Sequence, residues 1–140
     1  MEEINAFVDR VFVEQYQERF GKDKADKTLP VYLTLTRKDE QRLKAVLRAK
    51  LVLENAHITD LVVDQPYRGQ GLGASLMAEL EAILSARGIR SITLSTKSYQ
   101  AEGFYRKLGY QVYGTLIDVP QVGVTKYHLV KYLNECHLPK

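Results

Sequence analysis

The sequence predicts an α/β fold, in which a mixed and mostly antiparallel sheet is flanked by helices. Three patterns support this. Residues 31–36 and 42–53 alternate apolar and polar side chains, as strands with one buried face do. Further along, a short apolar segment, a helical apolar pattern and a second apolar segment follow one another, which indicates a right-handed β–α–β unit with parallel strands. The 140 residues have the length of a single domain with a real core.

Composition excludes several classes of function. The net charge of +3 is too small to indicate a nucleic-acid partner. The single cysteine, Cys136, rules out an internal disulfide framework and a CxxC metal site, and the three histidines have no ligand spacing, so no metal is expected. Because no apolar run reaches the roughly 18 residues of a membrane span, and the acidic N-terminus does not resemble a signal peptide, we expect a cytoplasmic protein without membrane contact.

The N-terminal part reads as a helix followed by a hairpin. Apolar residues recur at helical spacing over 3–20, which predicts an amphipathic helix ended by Gly21. A charged connector, 22–27, leads to the alternating segments 31–36 and 42–53, which predict an antiparallel hairpin.

The later elements follow from apolar patterns and glycine stops. In order, the sequence predicts a strand at 57–63, a helix from Leu72 closed by Gly88, a strand at 89–95, a short helix at 100–108 capped by Gly109, and strands at 110–113 and 125–130.

A glycine-rich turn connects the strand 57–63 to the helix that follows it. Gly69, Gly71 and Gly73 let backbone N–H groups approach a ligand closely, because no Cβ intervenes. The helix that begins there adds unpaired N–H groups and the positive end of its dipole. This pattern predicts an anion cradle, most often for phosphate. An ordinary strand-to-helix turn with no ligand is the structural alternative.

Two common phosphate loops do not fit this turn. A Walker loop ends in Gly-Lys-Ser/Thr, which is absent. The dinucleotide fingerprint has its third glycine one residue later, at the position of Ala74, and needs an acidic residue after the next strand, where none occurs. The remaining motif is Arg68-x-x-Gly71-x-Gly73.

A second motif, QAEGFYRKLGY, occupies residues 100–110. Together with RGQGLG at 68–73, it resembles the motifs of the GCN5-related N-acetyltransferases, known as GNAT enzymes. In that family the first motif binds the pyrophosphate of acetyl-CoA and the second carries a catalytic tyrosine. The resemblance covers 57–132 and implies the GNAT fold, with splayed parallel central strands.

The resemblance implies an N-acetyltransferase in which a primary amine attacks acetyl-CoA directly. It divides the single domain into an acceptor-side half, 1–56, an acetyl-CoA-binding and catalytic half, 57–132, and a tail, 133–140. The acceptor is expected to be a small molecule or a peptide, and a homodimer stays open. Several substitutions at family positions keep a non-catalytic acyl-CoA-binding module or sensor as the alternative function.

The resemblance also implies individual roles. Tyr105 is assigned as the general acid for the leaving thiolate, although helical spacing alone also fits a core aromatic. Arg68 either supports the turn or approaches a phosphate. The expected acetyl-CoA-binding residues are Leu61, Val62, Val63, Arg68, Gly69, Gln70, Gly71, Leu72, Gly73, Ala74 and Ser98.

No general base is assigned. Thr59 stands where the family often has a glutamate. Strand alternation places His57 and Thr59 on one face and Asp60 on the other. We therefore expect the acceptor amine to lose its proton through ordered water. On the last strand, only one of Tyr127 and His128 is expected to face the acceptor side.

Overall fold

The computed structural model describes residues 1–21 and 29–133 and confirms the α/β fold. Its sheet has the strand order β1-β2-β3-β4-β6-β5, and β3–β4 is the parallel pair. The elements are α1 Glu2–Phe20, β1 Val31–Asp39, β2 Arg42–Val52, β3 Asn55–Val63, α2 Leu72–Ala86, β4 Ser91–Lys97, α3 Glu102–Lys107, β5 Gln111–Ile117 and β6 Thr125–Tyr132.

The hairpin of β1 and β2 is antiparallel, as predicted, and its register runs from Val31 opposite Leu51 to Asp39 opposite Arg42. It is longer than the alternation predicted, because β1 continues through the polar residues 37–39. The guanidinium of Arg37 reaches across to α2, where it pairs with Glu79 at 2.8 Å and with the Ser75 hydroxyl. These contacts keep a polar segment in the strand.

One face of the sheet carries the core. Helix α2 buries Leu76, Met77, Leu80 and Leu84 against it. Helix α3 lies on the same side, and the segment after it is joined to α2 through Glu81. That carboxylate accepts hydrogen bonds from the Tyr110 hydroxyl and from Lys131, at 3.3 and 2.8 Å. The opposite side of the sheet, away from α2 and α3, is called the open face below.

Helix α1 has the predicted bounds within one residue and ends at Gly21. Its amphipathic pattern does not lead to burial, because no α1 side chain is buried and Phe7 and Phe12 are 59% and 63% exposed. Within the described ranges no helix is long and apolar enough to cross a membrane. The predicted charged connector 22–27, Cys136 and most of the tail lie outside the described residues.

The central parallel strands separate soon after they begin. Strands β3 and β4 pair only at Asn55–Ser91, Ala56–Ile92 and His57–Thr93. Beyond this point, which we call the fork, β3 continues to Val63 without β4 beside it. The register of β2 against β3 shifts at the same level, so that Thr59 forms a β-bulge. The splay implied by the resemblance is therefore present.

The packing of α2 makes a direct prediction for stability. Leu80 is fully buried between α2 and the sheet. We expect Leu80→Ala to reduce the free energy of unfolding by about 2–5 kcal/mol, because it leaves a cavity. Urea denaturation measures this loss. Leu43→Ala is the control, since Leu43 is 50% exposed. Equal losses in both variants would contradict the assignment of this face as the core.

Candidate functional site

A cleft of about 760 Å³ opens beside the fork. Its walls are the unpaired end of β3, the glycine-rich turn with the first turn of α2, and the start of α3 with the loop before it. Most of the site residues predicted from the sequence line this cleft: Leu61, Val62, Val63, Arg68, Gly69, Gly71, Leu72, Gly73, Ala74 and Tyr105.

Two predicted residues are not in the lining. Gln70 is exposed on the turn. The Ser98 hydroxyl accepts a hydrogen bond from the Thr125 N–H at 3.2 Å, and the Ser98 N–H donates to the Thr125 carbonyl at 2.8 Å. Ser98 thus ties the end of β4 to the start of β6, and its predicted contact with acetyl-CoA is untested.

Sequence reasoning missed some lining residues: Tyr67, Tyr99, Gln100, Ala101 and Phe104. The sequence could have indicated these residues, because each of them lies in or next to one of the two motifs.

The glycines of the turn serve two different purposes. Gly69 and Gly71 have φ near +80°, and a Cβ at either position would meet open space. Backbone conformation, together with access to the cleft, explains these two glycines. A Cβ at Gly73 would instead lie 3.3 Å from Cζ of Phe104. Gly73 therefore allows α2 to pack closely against α3, which brings the turn and Tyr105 into one cleft.

The N-terminus of α2 is free to bind an anion. Its cap is Gly71, and no side chain forms a capping hydrogen bond there. The N–H groups of the first turn have no intrahelical partner, and Leu72, Gly73 and Ala74 line the cleft. Positive potential from the helix dipole adds to these donors.

Arg68 supports the turn. Its Nε donates to the Val63 carbonyl oxygen at 3.1 Å, which fixes the turn to the end of β3. The side chain also lines the cleft. Of the two sequence alternatives for Arg68, support of the loop is the one that this hydrogen bond demonstrates.

Tyr105 is both a core residue and a site residue. The ring is only 6% exposed and makes edge contacts with Phe104 and Tyr110, at centroid distances of 5.1 and 5.9 Å. No described residue hydrogen-bonds its hydroxyl. Since no fully buried side-chain polar atom lacks a partner among the described residues, this oxygen is accessible, and Tyr105 is one of the residues that line the cleft.

Burial sets the protonation state of Tyr105. It raises the pKa of the phenol to about 12, because the phenolate loses solvation. The group is therefore a protonated hydrogen-bond donor at neutral pH. The segment before α3 is held by Gln100, whose side-chain oxygen accepts from the Lys97 N–H at 2.9 Å and so ties this segment to the end of β4.

The bulge at Thr59 corrects the sequence prediction for β3. Asp60 pairs with Arg48 and Ile58 with Ala49, so Thr59 is the extra residue. As a result Asp60 returns to the face of His57, opposite to the prediction, because alternation fails at a bulge. Asp60 is engaged by the Arg48 guanidinium at 2.8 Å, which lowers its pKa.

The bulge residue itself is held by side-chain hydrogen bonds. The Thr59 hydroxyl lies 3.2 Å from the Arg48 carbonyl oxygen and 3.0 Å from the Asp60 carboxylate. Neither Thr59 nor Asp60 therefore offers a free carboxylate to an incoming amine.

Two histidines lie on the open face near the fork. His57 Nδ1 is 2.9 Å from the Thr93 hydroxyl, and partial burial lowers the pKa of His57, with smaller contributions from His128 and Lys50. On β6, Tyr127 packs against the core and His128 lies on the open face. The two residues thus face opposite sides of the sheet, as strand alternation predicts.

Comparison with known proteins agrees with this geometry. A family model described as the acetyltransferase (GNAT) family matches residues 1–110. Blasticidin-S acetyltransferase of Streptomyces morookaense is 34% identical over 106 residues, which are 75% of this chain and 77% of that protein. In several other curated relatives, the matching segment spans less than half of the relative's own length.

Solved structures share the fold. A crystal structure of an acetyltransferase from Bacillus cereus has a TM-score of 0.78 at 30% identity, covering 92% of this chain and 91% of that one. An aminoglycoside 6'-N-acetyltransferase complexed with coenzyme A has a TM-score of 0.66 at 18% identity, covering 94% and 89%, which is a likeness of fold alone.

The family model covers most of the chain, and the blasticidin-S relative is similar over three quarters of it. Membership of this family is consistent with the fork and the glycine-rich turn described above. The chain belongs to the GNAT family of acetyltransferases.

Proposed function

We propose that this protein transfers the acetyl group of acetyl-CoA to a primary amine, by direct attack and without a covalent enzyme intermediate. The observation that carries this proposal is a single cleft with three complementary walls. It joins the unpaired edge of β3, the uncapped N-terminus of α2 and the accessible hydroxyl of Tyr105. Each wall suits a different part of an acyl-CoA molecule.

The glycine-rich turn suits the pyrophosphate. Backbone N–H groups of residues 69–74 would donate to its oxygens, since Gly69 and Gly71 present no Cβ and α2 has no side-chain cap. Arg68 keeps this turn fixed to β3. The cradle is thus built before a ligand arrives.

The unpaired edge of β3 suits the pantetheine arm. The N–H and C=O groups within residues 61–63 that face away from β2 have no strand beside them, because β4 has diverged, and among them the Val63 carbonyl already accepts from Arg68. The arm would pair with them as one more strand, and an N–H near Val62 or Val63 would polarise the thioester carbonyl. Acetyl-CoA, when bound, supplies an activated acetyl thioester.

The proposed step uses one protein acid. The neutral amine forms a C–N bond to the acetyl carbon, the C–S bond breaks, and Tyr105 gives its proton to the leaving sulfur. The pKa of about 12 keeps Tyr105 protonated. It also increases the difference between the pKa of this phenol and the pKa of the leaving thiol, which is about 8.5. We therefore assign proton donation to the moment at which the C–S bond breaks. The Tyr105 hydroxyl can then donate to the sulfur, because no described residue forms a hydrogen bond with it.

The acceptor nitrogen loses its proton through water. Thr59 has no carboxylate, and Asp60 is engaged by Arg48. The proton released from the amine balances the one that Tyr105 gives to sulfur, and Tyr105 is reprotonated from solvent. The acceptor is a small molecule or a peptide amine; blasticidin-S acetyltransferase and the aminoglycoside 6'-N-acetyltransferase of similar fold are both named for small molecules. A cytoplasmic location belongs to the same proposal.

An acyl-CoA-binding module without activity is the second candidate, because Thr59 replaces a residue that the family often uses as a base. Turnover separates the two functions. Release of free CoA that depends on an added amine supports the transferase. Binding of acetyl-CoA without turnover for any amine supports the module.

Replacing Tyr105 tests the role of its hydroxyl. We expect Tyr105→Phe to lower kcat by about 100-fold or more, because the leaving thiolate loses its proton donor. The affinity for acetyl-CoA should change little. Stability should also change little, since no described residue bonds this hydroxyl. Free CoA release gives the rate, and thermal denaturation gives the stability.

Tyr110→Phe is the matched control for that variant. Tyr110 is buried nearby but bonds Glu81 and does not line the cleft. This change should cost about 1 kcal/mol of stability and leave turnover intact. Unchanged turnover in Tyr105→Phe would remove Tyr105 from the mechanism.

A carboxylate at Gly71 tests the anion cradle. We expect Gly71→Glu to weaken acetyl-CoA binding by about tenfold or more, because a negative charge then faces the pyrophosphate. Calorimetry measures the affinity. When free acetyl-CoA is present at 100 times its dissociation constant, the wild-type protein should gain about 2.7 kcal/mol in its free energy of unfolding.

Gly88→Glu controls for backbone strain at this kind of position. Gly88 lies beyond the other end of α2, has φ of +78°, and also faces open space. Both variants should lose stability to a similar extent, about 1–2 kcal/mol, but only Gly71→Glu should lose affinity. Equal acetyl-CoA affinity in the two variants would refute the cradle.

A further inference from the structure

Side chains on the open face next to the fork are exposed or half-buried. The residues that the register of β3, β4 and β6 places around the fork on this side include His57, Thr93, Ser95 and His128. The cleft for acetyl-CoA lies on the side of α2 and α3, so the acceptor has free access from the open face.

This face carries lysines without acidic partners. Lys97 and Lys126 stand directly opposite each other on β4 and β6, and Lys50 stands opposite His57 on β2. No described carboxylate forms an ion pair with Lys50, Lys97 or Lys126, which we call the open-face lysines. Like charges at cross-strand positions repel each other, so the sheet gains no stability from placing them together.

The described strands place few carboxylates on the open face. Asp60 is the carboxylate that the described strands β2, β3, β4 and β6 place on this face, and Arg48 neutralises it. Nearby at the sheet ends, Glu54 pairs with Arg90, and Asp118 accepts from the Gly123 N–H. A polycationic acceptor would therefore meet lysines and histidines on this face, where the described strands β2, β3, β4 and β6 offer no unpaired carboxylate.

We propose that the acceptor is an amine that also carries an anionic group, a carboxylate or a phosphate, and that Lys97 and Lys126 bind this group. The proposal rests on the proposed acetyl transfer and narrows its substrate class. The anion relieves the repulsion between Lys97 and Lys126, while the amine enters the fork beside His57 and His128. Polyamines and aminoglycosides are poor acceptors in this arrangement.

Matched acceptor pairs test the proposal. Glycine against glycinamide tests a carboxylate, and phosphoethanolamine against ethanolamine tests a phosphate, with spermidine and kanamycin as polycations. Each is assayed by CoA release with wild-type protein and with the double variant Lys97→Gln, Lys126→Gln. For each acceptor, the KM of the variant is divided by the KM of the wild-type protein, and this ratio cancels differences in amine basicity between acceptors.

We expect the double variant to raise KM for at least one anionic acceptor by about tenfold or more. The KM for its neutral counterpart and for acetyl-CoA should stay within about twofold. Raised salt should mimic the variant, because it screens exposed charges. The control is the double variant Lys38→Gln, Lys107→Gln, which removes the same charge from exposed positions on β1 and α3 and should leave every KM unchanged.

The outcomes separate this proposal from the proposed function. Efficient turnover of spermidine or kanamycin, with no effect of the double variant on anionic acceptors, overturns the anionic-acceptor proposal and leaves acetyl transfer standing. No amine-dependent CoA release from any acceptor overturns acetyl transfer itself. A change in oligomeric state in the double variant, with KM unaltered, assigns the lysines to a second copy of the chain and also overturns the proposal.

Discussion

The separation of β3 from β4 is the constraint on which the site depends. Three residue pairs hold the two parallel strands together, and the bulge at Thr59 then turns β3 away. Continuous pairing would have satisfied the backbone of residues 61–63 and closed the cleft. Because β2 stays paired with β3 on its other edge up to Val63, the separation leaves a rigid strand with one free edge. Such an edge binds an extended ligand at little entropic cost.

The same bulge connects the two sides of the sheet. On the side of the helices, it lets Leu61 and Val63 continue the packing that Ile58 begins. On the open face, it brings Asp60 next to Arg48 and leaves His57 beside Thr93. Under the proposed function, this one-residue insertion in the register places acetyl-CoA and the acceptor on opposite sides of the sheet, with the fork as the passage between them.

The parts that the sequence predicted were those that local rules control. The hairpin, the β–α–β unit and the turn followed from alternation and glycine placement, and the two motifs located most of the cleft lining. The bulge could not be read from Thr59, because threonine suits a regular strand equally well, so Asp60 was placed on the wrong face. The exposure of α1 and the opposition of Lys97 to Lys126 depend on tertiary contacts and register between distant segments, which periodicity does not report.

Amide hydrogen exchange, measured with and without coenzyme A, tests the central claim most directly. Our account predicts slower exchange for backbone N–H groups within residues 61–63, where the ligand acts as an added strand, and within 69–74, where it meets the turn. Exchange in β1, which forms the edge of the sheet beyond β2, should stay the same. Protection confined to 69–74, with 61–63 unchanged, would contradict the claim that the free edge of β3 holds the ligand.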